Sequence, residues 1–204
     1  MSLKISHVEE NTELLGPFKR FVIWVWGCCF DCEGCVAQNT RHGAYAEIEA
    51  EDLAKKILQS DCEGVTISGG EPFLQAQELF RLIEIIKQEK NIGVIIYSGF
   101  TLNEIKNNPD FLNLLSVADI LIDGRYEKNL DDGRAYIGSS NQVIHYLTDR
   151  YKVIGPKFYD KNKKRKAEIK FTSSQAVLIG VPSKEVFKVW QSVKEKTGGT
   201  QNAF

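Results

Sequence analysis

Short apolar runs alternate with longer stretches of helical spacing along the first two thirds of the chain. "FVIWVW" (21–26), "VTIS" (65–68), "VIIYS" (94–98) and "DILID" (119–123) are apolar nearly throughout and rich in β-branched residues. That is the composition of parallel strands covered on both faces. In residues 49–59, Leu53, Ala54, Ile57 and Leu58 form one stripe behind an acidic first turn. In residues 76–88, Leu79, Leu82, Ile83 and Ile86 follow i, i+3, i+4, i+7. Residues 102–115 give a shorter helical stretch interrupted at Pro109. Strands alternating with helices predict an α/β fold, here a partial (β/α) barrel with a parallel sheet of about six strands. Ligands in such sheets sit at the carboxyl ends of the strands.

The rhythm changes after about residue 124. "QVIHYL" and "YKVIG" predict a hairpin around Thr148–Arg150, and "AEIKFT" and "AVLIGV" predict another around "SSQ". "SKEVFKVWQSVKEK" predicts a closing helix with Ser183 as N-cap and Val186, Val189, Trp190 and Val193 facing inward. The tail "GGTQNAF" is expected to fray. No internal repeat and no linker divides the chain. The expectation is one domain over 1–204, with a core of about 15–145 and a small α+β extension of about 150–204.

Bulk properties narrow the class. With 204 residues, 43% of them apolar, the chain can bury one full core. A net charge of −1 offers no argument for nucleic acid. The longest uncharged apolar run, Phe21 to Phe30, is far too short to span a bilayer, and "MSLKISHVEEN" lacks the apolar segment of a signal peptide. Five cysteines in such a chain point to metal or redox chemistry in the cytoplasm rather than to a disulfide framework.

Four of those cysteines crowd into "WGCCFDCEGC" (26–35). Cys28, Cys32 and Cys35 make C-x3-C-x2-C, and Cys29, Cys32 and Cys35 make C-x2-C-x2-C. Three thiolates on one loop can hold three corners of an iron–sulfur cluster. A closed electron-carrier cluster takes a fourth cysteine, and Cys35 is followed by "VAQNT" instead. A structural zinc site takes two ligand pairs; His42 is available but the second pair is missing. Three cysteines and one open iron therefore read best, and an open iron binds a ligand. "SGGEPF" (68–73) follows the second strand directly. Its glycines, Gly69 and Gly70, admit close backbone approach to a bound molecule. Glu71 offers a carboxylate to a cationic ammonium, and Pro72 fixes the exit of the turn.

C28-x3-C32-x2-C35 after one strand and Gly-Gly-Glu-Pro after the next resemble the radical S-adenosylmethionine superfamily. The resemblance implies a [4Fe-4S] cluster on Cys28, Cys32 and Cys35, which selects Cys28 over Cys29. It further implies S-adenosylmethionine on the fourth iron through its amino and carboxylate groups, and reductive cleavage to a 5′-deoxyadenosyl radical. A narrower resemblance runs through "GPFKRFVIWVWGCCFDCEGCVAQNT", "SGGEPFLQ", "IIYSGFTLNEI", "ADILIDGRYE" and "GSSNQVI". These fall in the order seen in activating proteins of anaerobic ribonucleoside-triphosphate reductase, relatives of pyruvate formate-lyase activating enzyme. The implied reaction is abstraction of hydrogen from a glycine of a partner glycyl radical enzyme. By the same resemblance Ser98 lies near the cofactor, and Asp123 and Arg125 line the active site. Gly34 stands where many superfamily members carry an aromatic residue, as it often does in the reductase activators. Residues 150–204 exceed the length of the small activators.

The remaining residues have plainer expectations. Cys29 reads as a spare thiol, Cys62 as a small buried hydrophobe, and His7 and His145 as structural. Asp119 reads as a surface cap, whereas Asp123 sits at the carboxyl end of its strand. Trp24 and Trp26 need be no more than core. "KNKKRK" (161–166) reads as a solvated loop; as a docking patch it would face the partner or an acidic flavodoxin or ferredoxin-type reductant. Two other functions stay open: radical modification of a peptide or small molecule, and electron transfer without a substrate.

Overall fold

The computed structural model describes residues 2–160, 162–171, 176–197 and 200–202. Its order is β1 (Ser2–Thr12), β2 (Arg20–Val25), α1 (Asn39–His42), β3 (Ala46–Glu49), α2 (Ala50–Gln59), β4 (Gly64–Gly69), α3 (Ala76–Glu89) and β5 (Gly93–Tyr97). Then follow α4 (Leu102–Lys106), α5 (Pro109–Ser116), β6 (Ile120–Asp123), β7 (Val143–Tyr146), α6 (Gly155–Phe158), β8 (Ala167–Phe171), β9 (Ala176–Gly180), α7 (Lys184–Thr197) and β10 (Thr200–Asn202). No described helix is long and apolar enough to cross a membrane.

The fold is mixed α/β around one seven-stranded sheet of order β3-β1-β2-β4-β5-β6-β7. Its centre, β2-β4-β5-β6, is parallel, as the apolar runs predict. Its edges are not: β1 pairs antiparallel with β2 and β3, and β7 antiparallel with β6. The expected parallel sheet of about six strands is thus the four-stranded centre of a mixed sheet of seven. The edge strands went unread because "SLKISHVEENT" and "AEIE" are polar, as suits strands at and next to a sheet edge. The hairpin around Thr148–Arg150 does not form. "VIHY" takes the open edge of β6 instead, and the following residues turn into α6.

Alternation along the strands sorts the core into two layers. Phe21, Ile23, Val25, Val65, Ile67, Val94, Ile96 and Leu121 pack with Leu53, Ile57, Leu79, Ile83 and Leu114 of α2, α3 and α5. The other face carries Val22 and Trp24, then Ile95, Ile120 and Ile122. Here the extension docks: β8 and β9 form the expected second hairpin, β10 joins β9 in parallel, and Val177 and Ile179 pack on Trp24 and Val22. The tip of that hairpin, 172–175, lies outside the described residues. Helix α7 starts as predicted, the Val186 N–H donating to Ser183 Oγ at 3.3 Å. Trp190 is buried, but Val189 is 57% exposed, so the inward stripe omits it.

At the amino ends of the strands, Arg20 is fully buried. Its guanidinium donates to Thr66 Oγ1, Glu63 Oε2, Tyr151 Oη and the Val65 and Gly93 carbonyls, at 2.6–3.1 Å. One side chain thereby ties β2, β4 and β5 to the segment after β7. Asp119 is likewise buried, not a surface cap; it accepts from Val94 N at 2.8 Å and from Thr148 Oγ1. Cys62 is buried, as expected. Arg20→Ala leaves Glu63 without its buried partner, so unfolding free energy in a urea titration should fall by about 3 kcal/mol. Arg20→Lys should recover little, because an ammonium cannot reach five acceptors in a planar fork.

Candidate active site

The carboxyl ends of the parallel strands open into a cavity of about 840 Å³. Cys28, Cys32 and Cys35 line it, as do Gly69, Gly70, Glu71, Ser98 and Arg125. Asp123 and Pro72 are not among the lining residues. Cys29 is exposed and also stands outside the cavity.

The cysteine loop leaves β2 and is held from several sides. Gly34, at φ +75°, makes the turn that lets Cys35 N–H donate to the Cys32 carbonyl at 3.2 Å. Asp31 pairs with Arg41 at 2.6 Å and Glu33 with Lys128 at 2.7 Å. Phe30 packs edge-on against Phe100 with 4.8 Å between centroids, and the Arg125 guanidinium sits 4.5 Å over the Phe30 ring. Burial pushes the Cys28 thiol up to about 11; a backbone hydrogen bond at Phe30 opposes this, and the Glu71, Cys29 and Cys35 charges add to it. Cys35 is raised chiefly by burial as well. Two buried thiols raised in this way would need a cationic iron core to hold them as thiolates. Among the described residues no three His, Cys, Asp or Glu side chains could hold a single metal ion. A cluster makes a different demand, since each cysteine takes its own iron.

The glycine turn is pressed onto the start of this loop. Gly70 N–H donates to the Val25 carbonyl at 2.9 Å and Glu71 N–H to the Gly27 carbonyl at 2.8 Å. A Cβ on Gly70 would stand 1.9 Å from the Gly27 oxygen. The sequence suggested that glycine admits a bound molecule here; its first use is to admit the neighbouring strand's backbone. Pro72 is buried at the start of a 3₁₀ turn, Pro72–Gln75.

Glu71 is 1% exposed and already engaged. Its carboxylate accepts from Phe73 N at 3.0 Å, Ser98 Oγ at 2.9 Å and Gly99 N at 2.8 Å, tying the ends of β4 and β5 together. Burial outweighs these bonds and raises the group from 4.5 to about 7. Ser98 therefore touches Glu71, as its place near the cavity implies. Asp123 points elsewhere: it accepts from Leu102 N at 2.5 Å and stands 3.0 Å from His145 Nε2, in a separate cleft with Glu104. His42 is exposed and not among the cavity's lining residues.

Part of the wall was not foreseen. Val181, Pro182, Ser183, Lys184 and Phe187 of the extension line the cavity with the cysteines, joined by Arg165. Within 161–166, Lys163, Lys164 and Lys166 are exposed, and Lys161 lies outside the described residues. The Arg165 side chain is 4% exposed, so a wholly solvated loop is corrected. The visible signal was the Ser183 cap, which fixes where α7 begins.

Two outcomes follow from this geometry. Gly70→Ala should lower the stability of the metal-free protein by about 1–3 kcal/mol in urea titration, since backbone must part from backbone. The proton that Glu71 retains when folded makes metal-free stability fall as pH rises from 4.5 to about 7. Glu71→Gln should remove that component of the slope in melting curves taken across this range.

Residues 14–145 match a family model described as a 4Fe-4S single cluster domain. The anaerobic ribonucleoside-triphosphate reductase-activating protein of Enterobacteria phage T4 is 32% identical over 143 residues, covering 66% of this chain and 88% of that one. Its counterpart in Vibrio cholerae is 29% identical, covering 65% and 91%. The pyruvate formate-lyase-activating enzyme of Streptococcus mutans is 28% identical over 166 residues, covering 72% and 62%. By these matches the chain belongs to the 4Fe-4S single cluster domain family, alongside the anaerobic ribonucleoside-triphosphate reductase-activating proteins.

Proposed function

We propose that this chain is a radical S-adenosylmethionine enzyme that activates a glycyl radical enzyme of the anaerobic ribonucleotide reductase type. The observation that carries the proposal is the single cavity lined by Cys28, Cys32, Cys35 and the Gly69–Glu71 turn. The family supplies the cluster, and the relatives' activating role supplies the reaction class. In this reading Cys28, Cys32 and Cys35 hold three irons of a [4Fe-4S] cluster; the exposed Cys29 does not. When bound and reduced, cluster and S-adenosylmethionine supply a 5′-deoxyadenosyl radical that takes hydrogen from the partner's glycine.

The protein's own residues shape that event. Gly69 and Gly70 let the turn close on the backbone of Val25 and Gly27, which sets the turn beside the cysteine loop. Glu71 is poised between protonation states near neutral pH, and an arriving ammonium would stabilise its charged form. Ser98 fixes the carboxylate's orientation through its 2.9 Å bond. Arg125, stacked over Phe30, borders the cavity and is placed to meet an anionic group. Asp123 acts from behind, orienting the start of α4 through Leu102 N.

We further read the central sheet as an incomplete barrel within one domain over 1–204. Successive parallel strands β2, β4, β5 and β6 lie side by side with α2, α3 and α5 on one face, which supports this reading. A single electron must enter from a flavodoxin or ferredoxin-type donor, and five free cysteines suit the reducing cytoplasm. No nucleic acid or membrane is assigned a part.

The test is anaerobic reconstitution followed by S-adenosylmethionine and dithionite. Wild type should release 5′-deoxyadenosine; none would leave an electron carrier. Cys28→Ala, Cys32→Ala and Cys35→Ala should each lose the visible cluster absorbance and the product, whereas Cys29→Ala should keep both. Bleaching by Cys29→Ala with an intact Cys28→Ala cluster would reverse the register.

A further inference from the structure

The family match ends at residue 145, yet residues beyond it reach the cysteines. Cys35, Val36 and Ala37 belong to one hydrophobic cluster with Ala176 and Leu178 of β9 and with Val186, Phe187, Trp190 and Val193 of α7. Trp190 is fully buried there and Ala37 is 7% exposed. Phe187 reaches further and also lines the cavity. The cysteine loop is thus gripped at both ends: the Phe30 end by Phe100 and Arg125, the Cys35 end by the extension.

A buried ion pair fastens the extension in this position. Arg165 pairs with Asp131 at 2.8 Å, their side chains 4% and 9% exposed. The same guanidinium donates to the Ile137, Gly138 and Pro182 carbonyls at 2.6–3.3 Å, joining the loop before β7 to the residue that precedes α7. Asp131 also accepts from Tyr126 Oη at 3.3 Å. Tyr126 lines the cavity, and its ring lies 3.7 Å from where a Cβ on Gly34 would stand. The sequence Arg165–Asp131–Tyr126 therefore ends against the same cysteine turn.

We propose that the C-terminal extension is part of the cluster site: through Trp190 and Phe187, α7 positions the Cys35 limb of the loop and keeps water from it. This rests on the reading of Cys28, Cys32 and Cys35 as iron ligands. Solvent exposure and outer-shell packing govern cluster lifetime and potential, so an apolar wall at one ligand acts on the cluster without touching iron. Trp190 and Phe187 are accordingly positioning residues, and the shared 14–145 segment would be incomplete in this protein without them.

The test uses the full chain in two forms. In the metal-free protein, alkylation of each cysteine is timed by mass spectrometry. Trp190→Ala and Phe187→Ala should speed modification of Cys35 by about tenfold, the lower end of outer-shell effects, with little change at Cys28 or at the core thiol Cys62. Trp190→Phe should restore the wild-type rate. A general loosening would instead expose Cys62 together with Cys35, and that result overturns the proposal. In the anaerobically loaded protein, both alanine variants should bleach faster in air by a similar factor. Full iron content with wild-type bleaching and wild-type Cys35 alkylation would also overturn it, while leaving the ligand assignment intact. Failure of wild type to hold a cluster would remove the assignment and the proposal together.

Discussion

Backbone lies against backbone where the cysteine loop leaves the sheet, and the rest of the site depends on that contact. Gly70 meets Gly27 so closely that no side chain could intervene. Two amide bonds, Gly70 to Val25 and Glu71 to Gly27, lock the arrangement. Glu71 then carries the constraint sideways to Ser98 and Gly99. Three successive strand ends become one rigid rim, so the cysteine loop and the glycine turn keep a set geometry although they are far apart in the chain. Three donors satisfy the buried oxygens of the Glu71 carboxylate.

The two faces of the central sheet do different work. Helices cover one face with a large apolar layer, which supplies most of the burial. The opposite face is only partly apolar, and it is closed by pieces from outside the strand–helix core: the second sheet over Trp24, and Tyr151 beneath Ile95 and Ile120. Polar ties concentrate at the two ends of the strands. Arg20 binds the amino ends and Glu71 the carboxyl ends, the first fully buried as a cation and the second raised toward neutrality. Five acceptors surround the guanidinium, whereas burial outweighs the three donors at the Glu71 carboxyl.

The extension changes what kind of cavity this is. Without it the inner face of β2 and the Cys35 limb would be open to water. With it, Arg165 and α7 convert an edge into a wall. The charge run at 161–166 shows why composition misled: three of its cations are solvated, whereas Arg165 finds a buried acid contributed by residue 131. Nothing local distinguishes it from its neighbours.

What the sequence determined by itself was whatever depends on near neighbours in the chain. Apolar runs and helical spacing placed β2, β4, β5 and β6 and their helices within a residue or two, because buried parallel strands need little context. The cysteine spacing and the glycine turn are likewise local, so Cys32, Cys35, Gly69, Gly70 and Glu71 stand out in the sequence alone, whereas the choice of Cys28 over Cys29 came from family resemblance. Ser98, Asp123 and Arg125 came only through family resemblance, and their geometry differs: Ser98 and Arg125 reach the cavity, while Asp123 turns to Leu102 and His145. Tertiary structure alone decided the rest. Polar β1 becomes a strand on the edge that β2 offers and β3 on the edge of β1, and "VIHY" leaves its expected hairpin for the edge of β6. Arg20, Arg165 and Trp190 owe their roles to partners far away in sequence, and such long-range pairing leaves no periodicity for the chain to display.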